Sequence, residues 1–148
     1  MSADGPEIGA VEAGDRVMFR LASMTKPVTA VAVLMQIERG VLDPDTPISH
    51  WLPAYGEPDV GRMSPEGKVE RTGKARHPIT LRTLLNHTSG LDTGSVGIAE
   101  MAGMTKEDWS TPETATAYLA GTALAFDPST AQEYSATAAF TVVSRLRV

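Results

Sequence analysis

The longest apolar pattern in the chain spans residues 23–39. Its apolar positions cover most of the circumference of a helix, which is typical of a helix that is buried on several sides. Pro27 falls in the first turns, where its missing N–H group is tolerated, and Gly40 stands where a left-handed residue would end the helix. The pattern therefore predicts a buried helix. Its apolar residues are Val28, Ala30, Val31, Ala32, Val33, Leu34, Met35 and Ile37.

Shorter segments also have helical signals. Residues 80–87 begin with a threonine that can serve as N-cap and continue with leucines at helical spacing. Residues 111–121 begin with a Thr-Pro pair and end in glycine, as a helix often does. A last helix is predicted at 136–147, and a single helical turn at 48–52 within a Pro-punctuated stretch.

Strand signals are few. Residues 16–21 favour a short extended run, but residues 56–77 are polar, contain glycine and have no strand or helical period. We predict an exposed loop at 56–77, and a Gly-rich loop between the helices predicted at 80–87 and 111–121. The chain is thus predicted to be mainly α, in one domain of ordinary size over residues 1–148.

Composition narrows the range of functions. The formal charge is −5, and no basic stripe is present that would collect phosphates, so nucleic acid is not an expected partner. Cysteine is absent, which excludes disulfides and thiol catalysis. No apolar run reaches the about 20 residues of a membrane helix, and residues 1–14 lack the features of a secretory signal. We therefore expect a cytoplasmic protein without a membrane contact.

Ser23 and Lys26 stand three residues apart at the start of the first predicted helix, so their side chains share one face. A serine hydroxyl is a weak nucleophile that needs a base, and a buried lysine can serve as one. Backbone N–H groups at a helix start would also stabilise developing negative charge. The alternative is that Ser23 only caps the helix and Lys26 is a surface residue.

The residues around Ser23 resemble a known nucleophile segment. Residues 19–27, Phe-Arg-Leu-Ala-Ser-Met-Thr-Lys-Pro, are similar to those of class C β-lactamases, D-alanyl-D-alanine peptidases among the penicillin-binding proteins, and family VIII carboxylesterases. Further similar segments follow in family order at 38–48, 79–91, 126–130 and 133–135. The resemblance implies a serine hydrolase of the β-lactamase-like superfamily, closest to its esterase branch.

The resemblance places the second catalytic motif of the family, Tyr-x-Asn, at Tyr134. The tyrosine would act as general base or hydrogen-bond relay, which requires a nearby ammonium such as Lys26 to lower its pKa. The alternative is a core or interface tyrosine. Ala136 replaces the asparagine of β-lactamases, as is common in the esterase branch. We therefore predict Ser23, Lys26 and Tyr134 as catalytic residues acting on carboxylic esters by acyl-enzyme chemistry, with weaker reactivity towards β-lactams and then peptides.

The resemblance also implies a partial domain. The family continues to a third motif, Lys-Thr-Gly or His-x-Gly, on a strand that carries a second oxyanion donor, and nothing after Tyr134 supplies one. We expect the helical region and nucleophile helix of an α/β (α+β) β-lactamase-like fold, with most of the antiparallel sheet missing. Exposed apolar surface should then favour self-association. The alternative function is a catalytically deficient binding or remnant module of the same fold.

Other candidate residues are given structural interpretations. His87 lies in a stretch that ends a helix in similar proteins, so we favour a structural histidine over the alternative of a catalytic triad member. His50 and His77 have no ligand spacing, so neither a metal site nor a cofactor is expected. The methionines are interpreted as residues that fill gaps in the core, and the alternative is that Met101 and Met104 line an apolar acyl pocket. Ser129 replaces the glycine that is usual in the family's Pro-Gly-Thr turn. The acidic residues Glu100, Glu107, Asp108 and Glu113 are assigned no role.

Overall fold

The computed structural model describes residues 20–146, so residues 1–19 of the N-terminus, including most of the predicted extended run at 16–21, lie outside it. The described residues contain five α-helices and one two-stranded sheet. The helices are α1 (Thr25–Glu38), α2 (Leu81–Leu85), α3 (Gly94–Met101), α4 (Pro112–Ala120) and α5 (Ala138–Val143). The strands are β1 (Asp59–Met63) and β2 (Val69–Lys74). The fold described is thus mainly α, as predicted.

The first predicted helix is confirmed, and its predicted burial is wrong. A short 3-10 turn, Ala22–Met24, leads into α1, and Gly40 takes the left-handed conformation (φ 71°) after the helix end. Among the described residues, however, those of α1 are all exposed or half-buried. Val28, Val31 and Leu34 are 67%, 56% and 55% exposed. Within residues 20–146, the core supplies packing for only one stripe of this all-round apolar helix.

The stripe of α1 that does pack carries Val33 and Ile37, which lie against the main core. The opposite side of the helix presents the apolar face formed by Met24, Val28, Val31, Leu34 and Met35. An apolar helix is stable in water when its faces are covered by other elements. The described residues leave this face uncovered.

Threonine caps place α2 and α4 where the sequence predicts them. Thr80 accepts a hydrogen bond from the backbone N–H of Thr83, whose own hydroxyl accepts from the backbone N–H of Thr80. Thr111 and Thr114 form the same reciprocal pair at the start of α4, with Pro112 in the first turn. Such pairs satisfy N–H groups that the helix itself leaves free, which fixes the start of both helices.

The prediction of a loop at 56–77 is wrong, because β1 and β2 form an antiparallel hairpin there. The strands pair from Asp59 opposite Lys74 to Met63 opposite Val69. The residues of β2 are exposed or half-buried, so no apolar alternation marks it. Ion pairs join the two strands instead of apolar contacts on one face. Arg62 lies 3.0 Å from Glu70, and Asp59 contacts Arg71 at 2.7 Å and Lys74 at 3.0 Å.

The Gly-rich loop predicted before residue 111 contains a helix, α3, which the sequence analysis missed. The glycines in this segment led to the prediction of a loop, because glycine has a low helical preference. Gly97 is required by packing, since a Cβ there would meet the backbone of Asp92. Contacts of α3 with β1 and β2, and the burial of Val96, stabilise the helix despite its low local preference.

The core lies between α2, α4 and α5 and the segments that connect them. Ala138, Ala139 and Val142 of α5 are fully buried, and this helix contacts both α2 and α4. The helix is shorter than the predicted 136–147. None of the helices within residues 20–146 combines the length and apolar character that crossing a bilayer requires. The buried core residues are Leu42, Ile48, Tyr55, Ile79, Leu81, Leu84, Leu91, Leu119, Leu124, Ala138, Ala139, Val142 and Val143.

Candidate active site

Ser23 lies in the 3-10 turn that leads into α1, and its side chain is exposed. The preceding residue, Ala22, has a positive φ of 45°, a conformation that costs a non-glycine residue energy. In the part of the chain that the structure describes, no side chain caps the start of α1. Ser23 is therefore not a helix cap, which removes one alternative interpretation of this residue.

Lys26 lies one helical turn after Ser23 and is directed towards it. Its Nζ donates hydrogen bonds to Ser23 Oγ at 3.3 Å and to the backbone carbonyl oxygen of Ala136 at 2.5 Å. The side chain is half-buried rather than extended into solvent. Two acceptors thus hold the ammonium group beside the serine hydroxyl.

Tyr134 approaches the same hydroxyl from the segment before α5. Its phenol donates to Ser23 Oγ at 2.8 Å, and Lys26 Nζ lies 5.2 Å from the centre of its ring. The hydrogen bond between Tyr134 and Ser23, together with the nearby ammonium group of Lys26, lowers the pKa of the phenol from its ordinary value of 10.0. The structure therefore brings together all three side chains that the sequence singled out.

Residues 86–92 hold the segment that carries Tyr134 by accepting hydrogen bonds from its backbone N–H groups. The N–H of Glu133 donates to the carbonyl oxygen of His87 at 3.1 Å, and the N–H of Ser135 donates to His87 Nδ1 at 3.2 Å. Asp92 accepts from the backbone N–H of Thr137 at 3.0 Å. The loop after α2 therefore positions Tyr134, although that loop lies more than forty residues earlier in the chain.

Two participants in this arrangement were missed by the sequence analysis. The Ala136 carbonyl is a backbone acceptor, which no side-chain pattern reveals. Asp92 adopts a positive φ of 52° and anchors the N–H groups of Thr137 and Ala138. An aspartate after a Ser-Gly turn is a common feature of loops, so its position gave no specific signal.

A cavity of about 610 Å³ opens beside Ser23, between α1 and α5. Trp109 and Phe140 give it aromatic walls, and the hydroxyls of Thr29 and Thr141 add polar groups. Lys26 is the charged residue in the lining. Such a site suits a small, largely uncharged molecule.

Met101 and Met104 do not line this cavity. Both are partly buried against the core, which agrees with the gap-filling role expected of them rather than with the alternative of an acyl pocket. Two of the acidic residues have polar partners away from the cavity. Glu113 pairs with Arg145 at 2.6 Å, and Asp108 accepts from the N–H of Thr105 at 2.7 Å.

The three histidines lie in different surroundings. His77 contacts Asp127 at 3.0 Å, and the ring of His50 packs edge-on against Trp51. His87 is half-buried beside Tyr134. Among the residues that the structure describes, no three histidine or acidic side chains form a group suited to a metal ion.

Comparison with known proteins points to one family. Residues 9–146 match the family model described as Beta-lactamase. Esterase EstB of Burkholderia gladioli is 35% identical over 129 residues, which cover 80% of this chain and 29% of the esterase. Penicillin-binding protein 4* of Bacillus subtilis is 35% identical over 74 residues, covering 50% of this chain and 12% of the relative.

A solved structure shares the fold as well as the sequence similarity. Unliganded simvastatin synthase (LovD) from Aspergillus terreus superposes with a TM-score of 0.58 at 30% identity. The matched part covers 85% of this chain and 33% of that structure. The chain therefore spans a third or less of the length of these relatives.

Proposed function

This chain belongs to the β-lactamase family, and on the geometry around Ser23 we propose that it is a serine hydrolase that cleaves carboxylic esters through an acyl-enzyme. The observation that carries the proposal is the meeting of three polar atoms. Ser23 Oγ accepts hydrogen bonds from Tyr134 at 2.8 Å and from Lys26 at 3.3 Å. A nucleophile within hydrogen-bond reach of a base, with a third group holding that base, is the arrangement that covalent catalysis requires.

In the first half-reaction, Ser23 Oγ attacks the ester carbonyl carbon. The ionised Tyr134 phenol accepts the serine proton along the existing 2.8 Å contact and passes it to the departing alcohol oxygen. The C–O bond of the ester breaks, and the acyl group is left on Ser23. Lys26 stabilises the phenolate by its charge, in keeping with the lowered pKa of Tyr134.

In the second half-reaction, water attacks the acyl-enzyme and gives a proton to Tyr134. The bond between the acyl carbon and Ser23 Oγ breaks, the serine regains its proton, and the carboxylic acid departs. Backbone N–H groups at the start of α1 would stabilise the negative charge on the carbonyl oxygen in both steps.

The choice of esters over β-lactams rests on Ala136. Its side chain offers no amide group to a substrate, and its backbone carbonyl is already bonded to Lys26. The cavity beside Ser23 would hold the acyl group against Trp109 and Phe140. We expect esters with an uncharged acyl group to react faster than β-lactams, and β-lactams faster than peptides.

Acylation without turnover is a second candidate function. Within residues 20–146, Ser23 is exposed and Tyr134 is 52% exposed, so water reaches the reacting groups. Electrostatic stabilisation of a transition state is strongest where water is excluded. A chain with such an open site would take an acyl group and release it slowly.

Hydrolysis of p-nitrophenyl acetate and butyrate separates these functions, with nitrocefin as the β-lactam and Ser23→Ala as the matched control. An esterase gives a burst of nitrophenol followed by steady turnover, and a binding module gives the burst alone. The absence of both from a folded sample contradicts both functions. Faster cleavage of nitrocefin than of either ester contradicts the substrate order.

A further inference from the structure

The ring of His87 lies directly against Tyr134 yet has no part in the chemistry described above. The centres of the two rings are 4.7 Å apart, and Phe140 lies on the His87 ring at 5.9 Å. The backbone at His87 has a positive φ of 60°, which turns the chain sharply after α2. A histidine held in this uncommon conformation needs contacts that stabilise it.

Two hydrogen bonds link His87 to the residues on either side of Tyr134. The carbonyl oxygen of His87 accepts from the N–H of Glu133 at 3.1 Å, and its Nδ1 accepts from the N–H of Ser135 at 3.2 Å. The first bond uses the backbone and is available to any residue. The second depends on the histidine side chain.

We propose that His87 is a positioning residue that aims the Tyr134 phenol at Ser23, through the Nδ1 bond to the Ser135 N–H and through contact between the two rings. This inference rests on the proposed role of Tyr134 as the proton carrier. A displacement of about 1 Å at a reacting group can lower a rate by about a hundredfold, so an anchor one residue away has a measurable effect.

The anchor requires an unprotonated Nδ1, because a backbone N–H can donate only to a free nitrogen lone pair. The titratable groups facing the ring are Lys26 on α1 and Tyr134, while Glu133 contacts His87 through its backbone and its carboxylate lies beside Gly94. Burial, and then the charge of Lys26, lower the pKa of His87 from 6.5. The ring is therefore neutral at pH 7, and acid breaks the anchor.

Three substitutions separate the two contacts. His87→Asn keeps an acceptor where Nδ1 stands and tolerates a positive φ, but it removes the ring. His87→Phe keeps a ring and loses the acceptor, and His87→Ala loses both. Gln132→Ala is the matched control, since Gln132 joins the same two segments through the carbonyl oxygen of Asn86 at 2.9 Å.

The first readout needs no activity. The Ser135 amide signal in ¹H–¹⁵N NMR spectra is expected to titrate with the His87 ring at a midpoint below pH 6.5 in the wild type. In His87→Asn the signal should stay near its neutral position without titrating, and in His87→Phe it should shift strongly. The ionisation of Tyr134, followed by its ultraviolet difference spectrum against Tyr134→Phe, should move towards pH 10 in His87→Phe.

The second readout is the rate at which a fluorophosphonate labels Ser23. We expect a loss of about tenfold in His87→Phe, less than about threefold in His87→Asn, and no change in Gln132→Ala. Labelling in His87→Phe at the wild-type rate overturns the proposal, as does a Ser135 amide signal that ignores His87 protonation. Failure of the wild type to label contradicts the proposed function instead, and the NMR and ultraviolet readouts then decide the His87 proposal by themselves.

Discussion

The phenol of Tyr134 donates a hydrogen bond of 2.8 Å to the hydroxyl oxygen of Ser23, across 111 positions of sequence. This contact joins the turn before α1 to the irregular segment before α5. Lys26 completes the arrangement by binding Ser23 and the Ala136 carbonyl together. The chemistry proposed for the chain depends on this meeting of two distant segments.

Removal of the Tyr134 hydroxyl should therefore slow the reaction of Ser23. We expect Tyr134→Phe to lower the rate of fluorophosphonate labelling by about a hundredfold, because general-base catalysis contributes about 10² to 10⁴. The exposed position of the phenol predicts little change in urea unfolding. An equal labelling rate in the two proteins would contradict the base assignment.

The rate at which Ser23 is labelled should depend on the ionisation of Tyr134. The hydrogen bond with Ser23 and the nearby ammonium group of Lys26 hold the pKa of Tyr134 below 10.0, and the phenolate is the form that accepts a proton. The labelling rate should therefore rise with pH to a plateau, with a midpoint below 10, and Tyr134→Phe should lack this rise. A midpoint at or above 10 in the wild type would count against the effect of Lys26.

The Asp127 carboxylate should stabilise the fold by an amount that depends on pH. Burial alone would raise its pKa, but hydrogen bonds from the backbone and side chains of His77 and Arg76 hold the pKa below 3.8. A carboxylate with a lowered pKa stabilises the fold above its unfolded value and loses that contribution as pH falls through the folded value. Asp127→Ala should lower the free energy of unfolding by about 1 kcal/mol at pH 7.

The difference in free energy of unfolding between wild type and Asp127→Ala should become smaller as the pH falls through and below 3.8. Urea titrations at a series of pH values measure it. Asp43→Ala is the matched control, because within residues 20–146 its carboxylate accepts a hydrogen bond only from the nearby N–H of Asp45. A difference that is constant across the pH range would show that the Asp127 carboxylate charge is not responsible.

Substitution of Ser129 by glycine should stabilise the fold. Its φ of 69° lies in the left-handed region, where a side chain is strained and glycine is not. Ser129→Gly should raise the free energy of unfolding by about 1 kcal/mol, and Ser129→Ala, which keeps the strain, should not. Thermal unfolding of the three proteins tests this, and equal behaviour of the glycine and alanine variants would rule out relief of strain.

The uncovered apolar face of α1 predicts self-association. Val31→Lys with Leu34→Lys should lower the association that sedimentation velocity detects as protein concentration rises, without loss of stability, because both side chains are exposed. Ile37→Lys is the contrasting variant, since Ile37 packs against the core and should destabilise the fold when changed. Unchanged association in the double variant would place the contact elsewhere.

Local sequence signals predicted the elements that depend on local chemistry. The caps at Thr80 and Thr111 and the left-handed Gly40 are determined by their own residues, and each was recognised. The β1–β2 hairpin was missed because its exposed strand β2 shows no apolar alternation. Helix α3 was missed because its glycines lower the helical preference of the segment.

In the candidate site too, contacts between neighbouring residues were predictable from the sequence and contacts between distant segments were not. Ser23 and Lys26 are neighbours on one helix, so their spacing alone predicted that they meet. Tyr134 was recognised by resemblance, and the structure brings its hydroxyl to Ser23, while its catalytic role stays a prediction. The bond of Lys26 to the Ala136 carbonyl and the bond of the Ser135 N–H to His87 each join a side chain to the backbone of a distant segment, which no motif in a single sequence reveals.

The most direct test of the central claim is covalent labelling of the purified chain by a fluorophosphonate at pH 8, with Ser23→Ala as control. Intact mass and peptide mapping give the number and the position of the adducts. We predict one adduct, confined to Ser23 and absent from the control. A folded wild-type chain that takes no label, or takes it equally in Ser23→Ala, would contradict the assignment of Ser23 as an activated nucleophile.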